Sequence, residues 1–463
     1  MSSQTETPPT PIRKPLPRAA DGSKLLKTLG IILWPVKRLE ALAHQYGDIF
    51  VDEFHGFPPL VVISNPKAIQ EIFTADPKKF ESGSANQVLL PFVGTDSLFL
   101  LDGDRHLQRR KLLTPPFHGE RMRAYGQLIG QITDQVIDKW SLKHPFAVHS
   151  SMQAISLRVI LRAVFGLQEG ERFEQISAIL SAMMNAFTSP VTTSALFFRG
   201  LQQDWGAWSP WGRFLRQREQ LDRLLYQEIH DRRQGTIPPG DDILSLMMAV
   251  QDEAGQGMTD KELRDELMTL LIAGQETTAN SLTWALGWIH YLPDVRERLM
   301  QELATIDLDQ AEPMDIAQLP YLSAVCQETL RIVPIAFFTF SRVLQVPMQL
   351  LDYDLPAGTV LSVCIYLTHH RPDLYPEPNQ FRPERFLERQ FSPYEFLPFG
   401  GSSRRCIGMA FALFEMKLAL AKILSRYSLK SVEKKPPQAA RRGLTFAPAG
   451  GTRLVVTADR KQA

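Results

Sequence analysis

The chain of 463 residues is 44% hydrophobic and 22% charged, proportions of an ordinary globular protein and unlike a collagen, a coiled coil or a disordered chain. Lys and Arg number 51 against 50 Asp and Glu, a net charge of +1, so no overall field marks a nucleic-acid partner. The three cysteines, Cys326, Cys364 and Cys406, form no CxxC pair for structural zinc and no disulfide framework, leaving ligand or nucleophile as the special use of any one of them in a reducing compartment.

Residues 1–30 carry Pro8, Pro9, Pro11, Pro15 and Pro17 among polar residues. They read as a flexible tail that buries too little apolar surface to offset its ordering entropy. The run Leu29 to Val36 is broken by Gly30 and Pro35, and a spanning helix needs ~20 apolar residues, so no transmembrane anchor is expected and the cytoplasm is the expected location. Folded structure is expected from near Trp34, where Leu39, Leu42, Ala43 and Tyr46 recur at helical spacing before Gly47. Short strands follow at Ile49 to Val51 and Leu60 to Ile63. Asn65 and Pro66 then read as N-cap and first residue of a helix through Phe73. From about 120 to 290 the period is helical. Strand-like segments return at Val343 to Leu351 and Thr359 to Leu367, and a last helix starts after Cys406. The expected class is mainly α with small β-sheets at its edges, residues 31–463 forming one domain.

Thr259 and Glu262 match a capping box, and no proline interrupts the pattern until Pro293. A helix from Thr259 to Tyr291 would be ~50 Å long and would cross most of the molecule. Its middle reads Ala273-Gly274-Gln275-Glu276-Thr277-Thr278, where Gly, β-branched Thr and a buried Glu each disfavour a buried helix. The expectation is a local opening in which a Thr hydroxyl competes for a carbonyl. Gly274 would leave space beside Ala273 and Thr277 for a small molecule, with acid and alcohol placed to relay protons; a solvated Glu beside a helix-packing Gly is the equal alternative.

Phe399-Gly400-Gly401-Ser402-Ser403-Arg404-Arg405-Cys406-Ile407-Gly408 brings a cysteine, two arginines and three glycines to the start of a helical run. A helix N-terminus and two cations favour a thiolate, which marks Cys406 as reactive or ligating.

This segment resembles the haem-binding loop of the cytochrome P-450 family, with Cys406 as the axial thiolate. Three further motifs resemble that family in the same order: Ala273 to Thr278, Glu328-Thr329-Leu330-Arg331, and Phe381-Arg382-Pro383-Glu384-Arg385-Phe386. The likeness runs from about Trp34 to the C-terminus, and its style resembles soluble bacterial members related to fatty-acid and terpenoid hydroxylases. It implies haem b between the long helix and the cysteine loop, and a thiolate ligand favours O–O cleavage over O2 carriage. It makes Glu276 and Thr277 the proton-delivering pair and Cys406 the metal ligand. Phe399 and the backbone to Gly408 would shield the sulfur and donate to it. His106, Arg110, Arg342 and Arg404 would hold the haem propionates. Glu328, Arg331 and Arg385 would form a buried structural network. Ser402 departs from the family's usual glycine and should strain the loop if its φ is positive.

Phe92, Val93, Leu98, Phe187, Ala273, Ile335, Ala336, Phe337 and Phe446 would wall an apolar substrate pocket. The expected reaction inserts one oxygen atom of O2 into a lipophilic substrate, a fatty acid or terpenoid. No flavin, nicotinamide or iron–sulfur fingerprint occurs, so electrons should come from a separate ferredoxin or flavodoxin and its reductase. Arg109, Lys111, Arg404 and Arg405 are candidates to dock that partner, and the chain should be a monomer. The rival readings are a haem-thiolate isomerase or peroxygenase needing no reductase, and a non-catalytic haem sensor.

Overall fold

In the computed structural model, residues 16–460 are described apart from 118, 120, 188, 252–254 and 309. One helix organises the whole: Asp260–Tyr291, 32 residues, opened by the capping box in which Thr259 and Glu262 satisfy each other's backbone N–H groups. Leu263, Leu267, Leu271, Leu282, Trp284 and Leu286 on it are fully buried. The helices His149–Phe165, Pro320–Ile332 and Met409–Arg426 and the hairpin strand Thr445–Pro448 all pack on it. Walls on several sides explain why its hydrophobic residues form no single stripe.

A five-stranded sheet lies at the edge, in the order Ile49–Asp52, Leu60–Ile63, Val360–Val363, Arg342–Leu344, Phe80–Glu81. Its one parallel contact sets Val61 opposite Leu361. The strand-like stretch Val343 to Leu351 is two strands, Arg342–Leu344 and Met348–Leu350, because Pro347 has no N–H to continue a ladder. Thr359 to Leu367 likewise divides into the strand Val360–Val363 and the short helix Ile365–His369.

The expected flexible tail is corrected over its second half. Lys24–Leu33 is a helix started by the Ser23 hydroxyl, and Ala19 and Val51 join in a parallel bridge. Lys27 is buried and donates to Ala20 O at 2.5 Å. The apolar face Ile31 and Ile32 explains the ordering, since it has a core to join. The prolines of residues 1–15 lie outside the described residues. No helix among the described residues is long and apolar enough to cross a membrane.

Candidate functional site

The central helix does not open at its polar middle. It stays helical from Asp260 to Tyr291, but two carbonyls of that turn are bonded by hydroxyls: Thr277 Oγ1 donates to Ala273 O at 2.6 Å and Ser156 Oγ to Gly274 O at 3.0 Å. Gly274 is a close-packing residue, not the source of free space. A Cβ there would lie 2.8 Å from Ile160 Cδ1 on the neighbouring helix. Ala273 and Thr277 remain half-accessible within a helix otherwise largely buried, so they face an internal cleft. Ala336, exposed between buried Ile335 and Phe337, opens onto interior space in the same way.

Cys406 is the third such group. Its side chain is exposed although protein surrounds it at depth, the mark of a group facing an internal cleft. Cys326 and Cys364 are fully buried, and burial pushes both thiols up to about 12, which leaves them as packing residues. Burial also raises the Cys406 thiol, but the Gly408 N–H and the cations Arg110 and Arg405 pull the other way. The loop is pinned by Cys406 N–H donating to Phe399 O at 2.9 Å. Gly400 has φ 67° and Ser402 φ 59°, so the serine does occupy a left-handed position that costs an L-residue ~1–2 kcal/mol. Gly401 is required by contact: a Cβ there would stand 2.1 Å from the Phe73 ring.

Beside this loop, cations outnumber acids. His106 is buried and pushed down to about 3 by burial, with Arg404 and Arg110 adding repulsion, so it is a neutral donor. Arg110, one turn along the same helix Gly103–Leu113, is half-buried with no acceptor for its guanidinium among the described residues. Arg342 is buried over the Phe73 ring, donates to Gly401 O at 2.9 Å and is lowered to about 10 by burial, then by Arg404. Arg404 alone has a carboxylate, Asp102 Oδ1 at 2.5 Å, and also donates to Leu98 O, Phe99 O and Leu101 O. Most of its donors are therefore spent on clasping the Leu98 segment. Clustered basic groups with one carboxylate need further negative charge, and the two propionates of a haem would supply it. An accessible sulfur and an anion-seeking edge thus fit haem.

The carboxylate of Glu276 does not share the cleft with Thr277. It accepts from Arg442 Nε at 3.0 Å and Gln153 Nε2 at 3.0 Å, with Asn280 Nδ2 at 3.4 Å and His149 Nε2 at 3.9 Å. Arg442 also donates to Asn185 Oδ1, so the carboxylate is linked toward solvent. Gln153, His149 and Arg442 could not be read from the sequence, because they come from a separate helix and a hairpin 166 positions away.

Glu328, Arg331 and Arg385 are brought together in a fully enclosed network. Arg331 donates to both Glu328 oxygens at 2.6 and 2.8 Å, and Arg385 Nε to Oε1 at 3.2 Å. The Arg382 N–H adds a fourth bond at 2.8 Å. Arg331 also ties down His369 O, Pro378 O and Gln380 O, which anchors the segment leading to the cysteine loop.

The apolar candidates fall into separate groups. Phe92 and Phe187 (ring centroids 5.4 Å apart) cluster with Phe214, while Phe337 stacks on Phe446 at 3.7 Å. Val93 is fully buried, and Leu98 is held through its carbonyl by Arg404. Arg109 is corrected as a docking residue. It is buried and paired with Glu262 at 2.7 Å and Glu266 at 3.0 Å, so of the four candidates Lys111 and Arg405 are the exposed ones.

The sequence profile of the cytochrome P450 family matches residues 26–453. A Mycobacterium tuberculosis protein with the provisional name cytochrome P450 135B1 is 36% identical over 423 residues, 91% of this chain and 87% of its own. Another from that organism, provisionally cytochrome P450 138, is 32% identical over 98% of this chain and 99% of its own. A retinoic-acid-bound cyanobacterial CYP120A1 superposes with a TM-score of 0.83 at 25% identity, covering 96% of this chain and 99% of that one. The haem domain of cytochrome P450DA gives 0.81 at 23% identity, covering 97% and 99%.

Proposed function

The chain belongs to the cytochrome P450 family, enzymes that use haem b with an axial cysteine thiolate, and from that premise we propose that it hydroxylates a lipophilic fatty-acid- or terpenoid-like substrate with electrons from a separate ferredoxin or flavodoxin. The observation that carries the site assignment is the accessible, deeply placed Cys406 beside an unneutralised basic cluster. Thiolate-ligated haem supplies dioxygen binding and O–O bond cleavage when bound.

The chain's own residues do the rest. Cys406 is the sulfur ligand, and the Gly408 N–H points at that sulfur and tempers its basicity. His106, Arg110 and Arg342 would hold the propionates, while Arg404 clasps the Leu98 segment. Thr277, facing the cleft, holds a proton at its Oγ1 while donating to Ala273 O; delivering it requires that 2.6 Å bond to break. Glu276 is the acid of the pair, and its carboxylate reaches the cleft only when it leaves Arg442 and Gln153. The apolar lining of Ile335, Phe337 and Phe446 excludes water and suits a lipophilic body, and retinoic acid in the cyanobacterial neighbour is one such molecule. Lys111 and Arg405 remain as cations for an acidic electron donor.

The test is turnover of a lipophile panel with NADH and a surrogate ferredoxin system. Thr277→Ala should lower product per NADH and raise peroxide release, and Thr277→Ser should restore coupling. Unchanged yield and peroxide in Thr277→Ala would remove Thr277 from the relay.

A further inference from the structure

The hairpin Ala439–Arg442 and Thr445–Pro448 carries two adjacent arginines, which alternate to opposite faces of the strand. Arg442 is neutralised by Glu276. Arg441 is not. Its guanidinium lies 4.8 Å from the Phe446 ring and 5.8 Å from that of Phe197. Nη2 donates to Ile31 O at 3.0 Å and Nη1 reaches Gly443 O at 3.4 Å, while the buried Nε has no acceptor. No carboxylate pairs with it among the described residues, and burial alone draws it down to about 10. Two carbonyls and two ring faces solvate the cation partially but do not neutralise it.

The residues that fix Arg441 also join it to the segment around Ala336, which opens onto the cleft. Phe446 stacks on Phe337 and donates its N–H to Ile335 O at 3.2 Å, and Gly443 N–H donates to Phe187 O at 2.8 Å. Around the guanidinium stand Ile31 of the first helix, Phe197 and Phe446. The surroundings are apolar, with one cation at their edge.

We propose that Arg441 anchors the carboxylate of the substrate, which makes the favoured substrates lipophilic carboxylic acids and not their neutral counterparts. This rests on the reading of the cleft as a lipophile site and sharpens it. A guanidinium presents paired N–H donors that match a carboxylate in plane, and the free Nε is one of them. The apolar body then lies along Phe446 and Phe337 toward the cleft. Arg442, already paired, provides an internal contrast one residue away.

The experiment uses the haem-loaded protein and three probes of one chain, dodecanoic acid, its methyl ester and dodecanol, with abietic acid and its methyl ester as a terpenoid pair. Dissociation constants are measured by calorimetry and, separately, by the substrate-induced spin-state shift. Wild type should prefer acid over ester by about 10- to 100-fold, the range of a charge-assisted hydrogen bond. In Arg441→Gln that preference should collapse while ester affinity stays within about twofold, and Arg441→Lys should keep part of it. Equal binding of acid and ester by wild type, which needs no variant, overturns the anchor while leaving the lipophile reading intact. So does an acid preference that survives in Arg441→Gln or, should that fold poorly, in Arg441→Met. Failure of every probe to bind overturns the lipophile reading and the anchor with it.

Discussion

Replacing Glu328 with glutamine tests the enclosed charge network at one atom. The carboxylate accepts four hydrogen bonds, two from Arg331, one from Arg385 and one from the Arg382 N–H. Glutamine keeps one oxygen and turns an N–H against a guanidinium, so at least one charge-assisted bond goes and a second is weakened, each worth ~1.5–3 kcal/mol. The two buried arginines also lose the one counter-charge they share among the described residues. Breaking a buried pair by removing one partner costs ~3–5 kcal/mol, of the same size, against a total stability of ~5–15 kcal/mol for a typical domain. Glu328→Gln should therefore lose that amount in denaturant unfolding and purify with sub-stoichiometric haem, because Arg331 no longer holds His369 O, Pro378 O and Gln380 O. Substrate preference in the fraction that does load should not change. A variant within ~1 kcal/mol of wild type and replete in haem would refute the reasoning.

Glu415 is buried on the helix after the cysteine loop, with burial raising its carboxyl to about 8. The nearby Ser156, whose hydroxyl bonds Gly274 O, offsets that only in part, so burial holds the carboxyl protonated at neutral pH. The folded state thus holds a proton that the unfolded chain releases in the usual glutamate range. Stability falls as pH rises through that window and levels off above about 8. Glu415→Gln should flatten the decline, measured as unfolding free energy at pH 5 to 9, by up to ~1.4 kcal/mol per pH unit; a parallel profile would count against a neutral Glu415. Ser402→Gly removes a left-handed penalty of ~1–2 kcal/mol and adds ~0.5–1 kcal/mol of chain entropy, so it should stabilise by ~0.5–1 kcal/mol in urea unfolding. A loss of stability would show that the serine side chain supports the loop.

What could be read from the sequence was whatever rests on local chemistry. The capping box at Thr259, the Asn65 cap and the strand Leu60–Ile63 all depend on a few neighbouring residues. The left-handed position at Ser402 came instead from the resemblance, which places a glycine there. Gly274 misled because a glycine is equally a hole and a contact until the facing Ile160 is known. Glu276 was recognised as an acid in the right place, but its direction is set by Arg442 and Gln153 from elements distant in sequence. Arg109 looked like a surface cation only because Glu262 and Glu266 lie on another helix. Two signals were available and passed over: a glutamate inside the apolar run Phe411 to Leu418, and paired arginines in a hairpin strand.

The assignment of the sulfur ligand decides everything downstream, and the reduced, CO-bound absorption spectrum of wild type and Cys406→His measures it directly. Wild type should give the red-shifted Soret band of thiolate-ligated haem. Cys406→His, if it retains pigment, should give the shorter-wavelength band of an imidazole-ligated one. A wild-type spectrum without the thiolate band, or a thiolate band that persists in Cys406→His, would contradict the account.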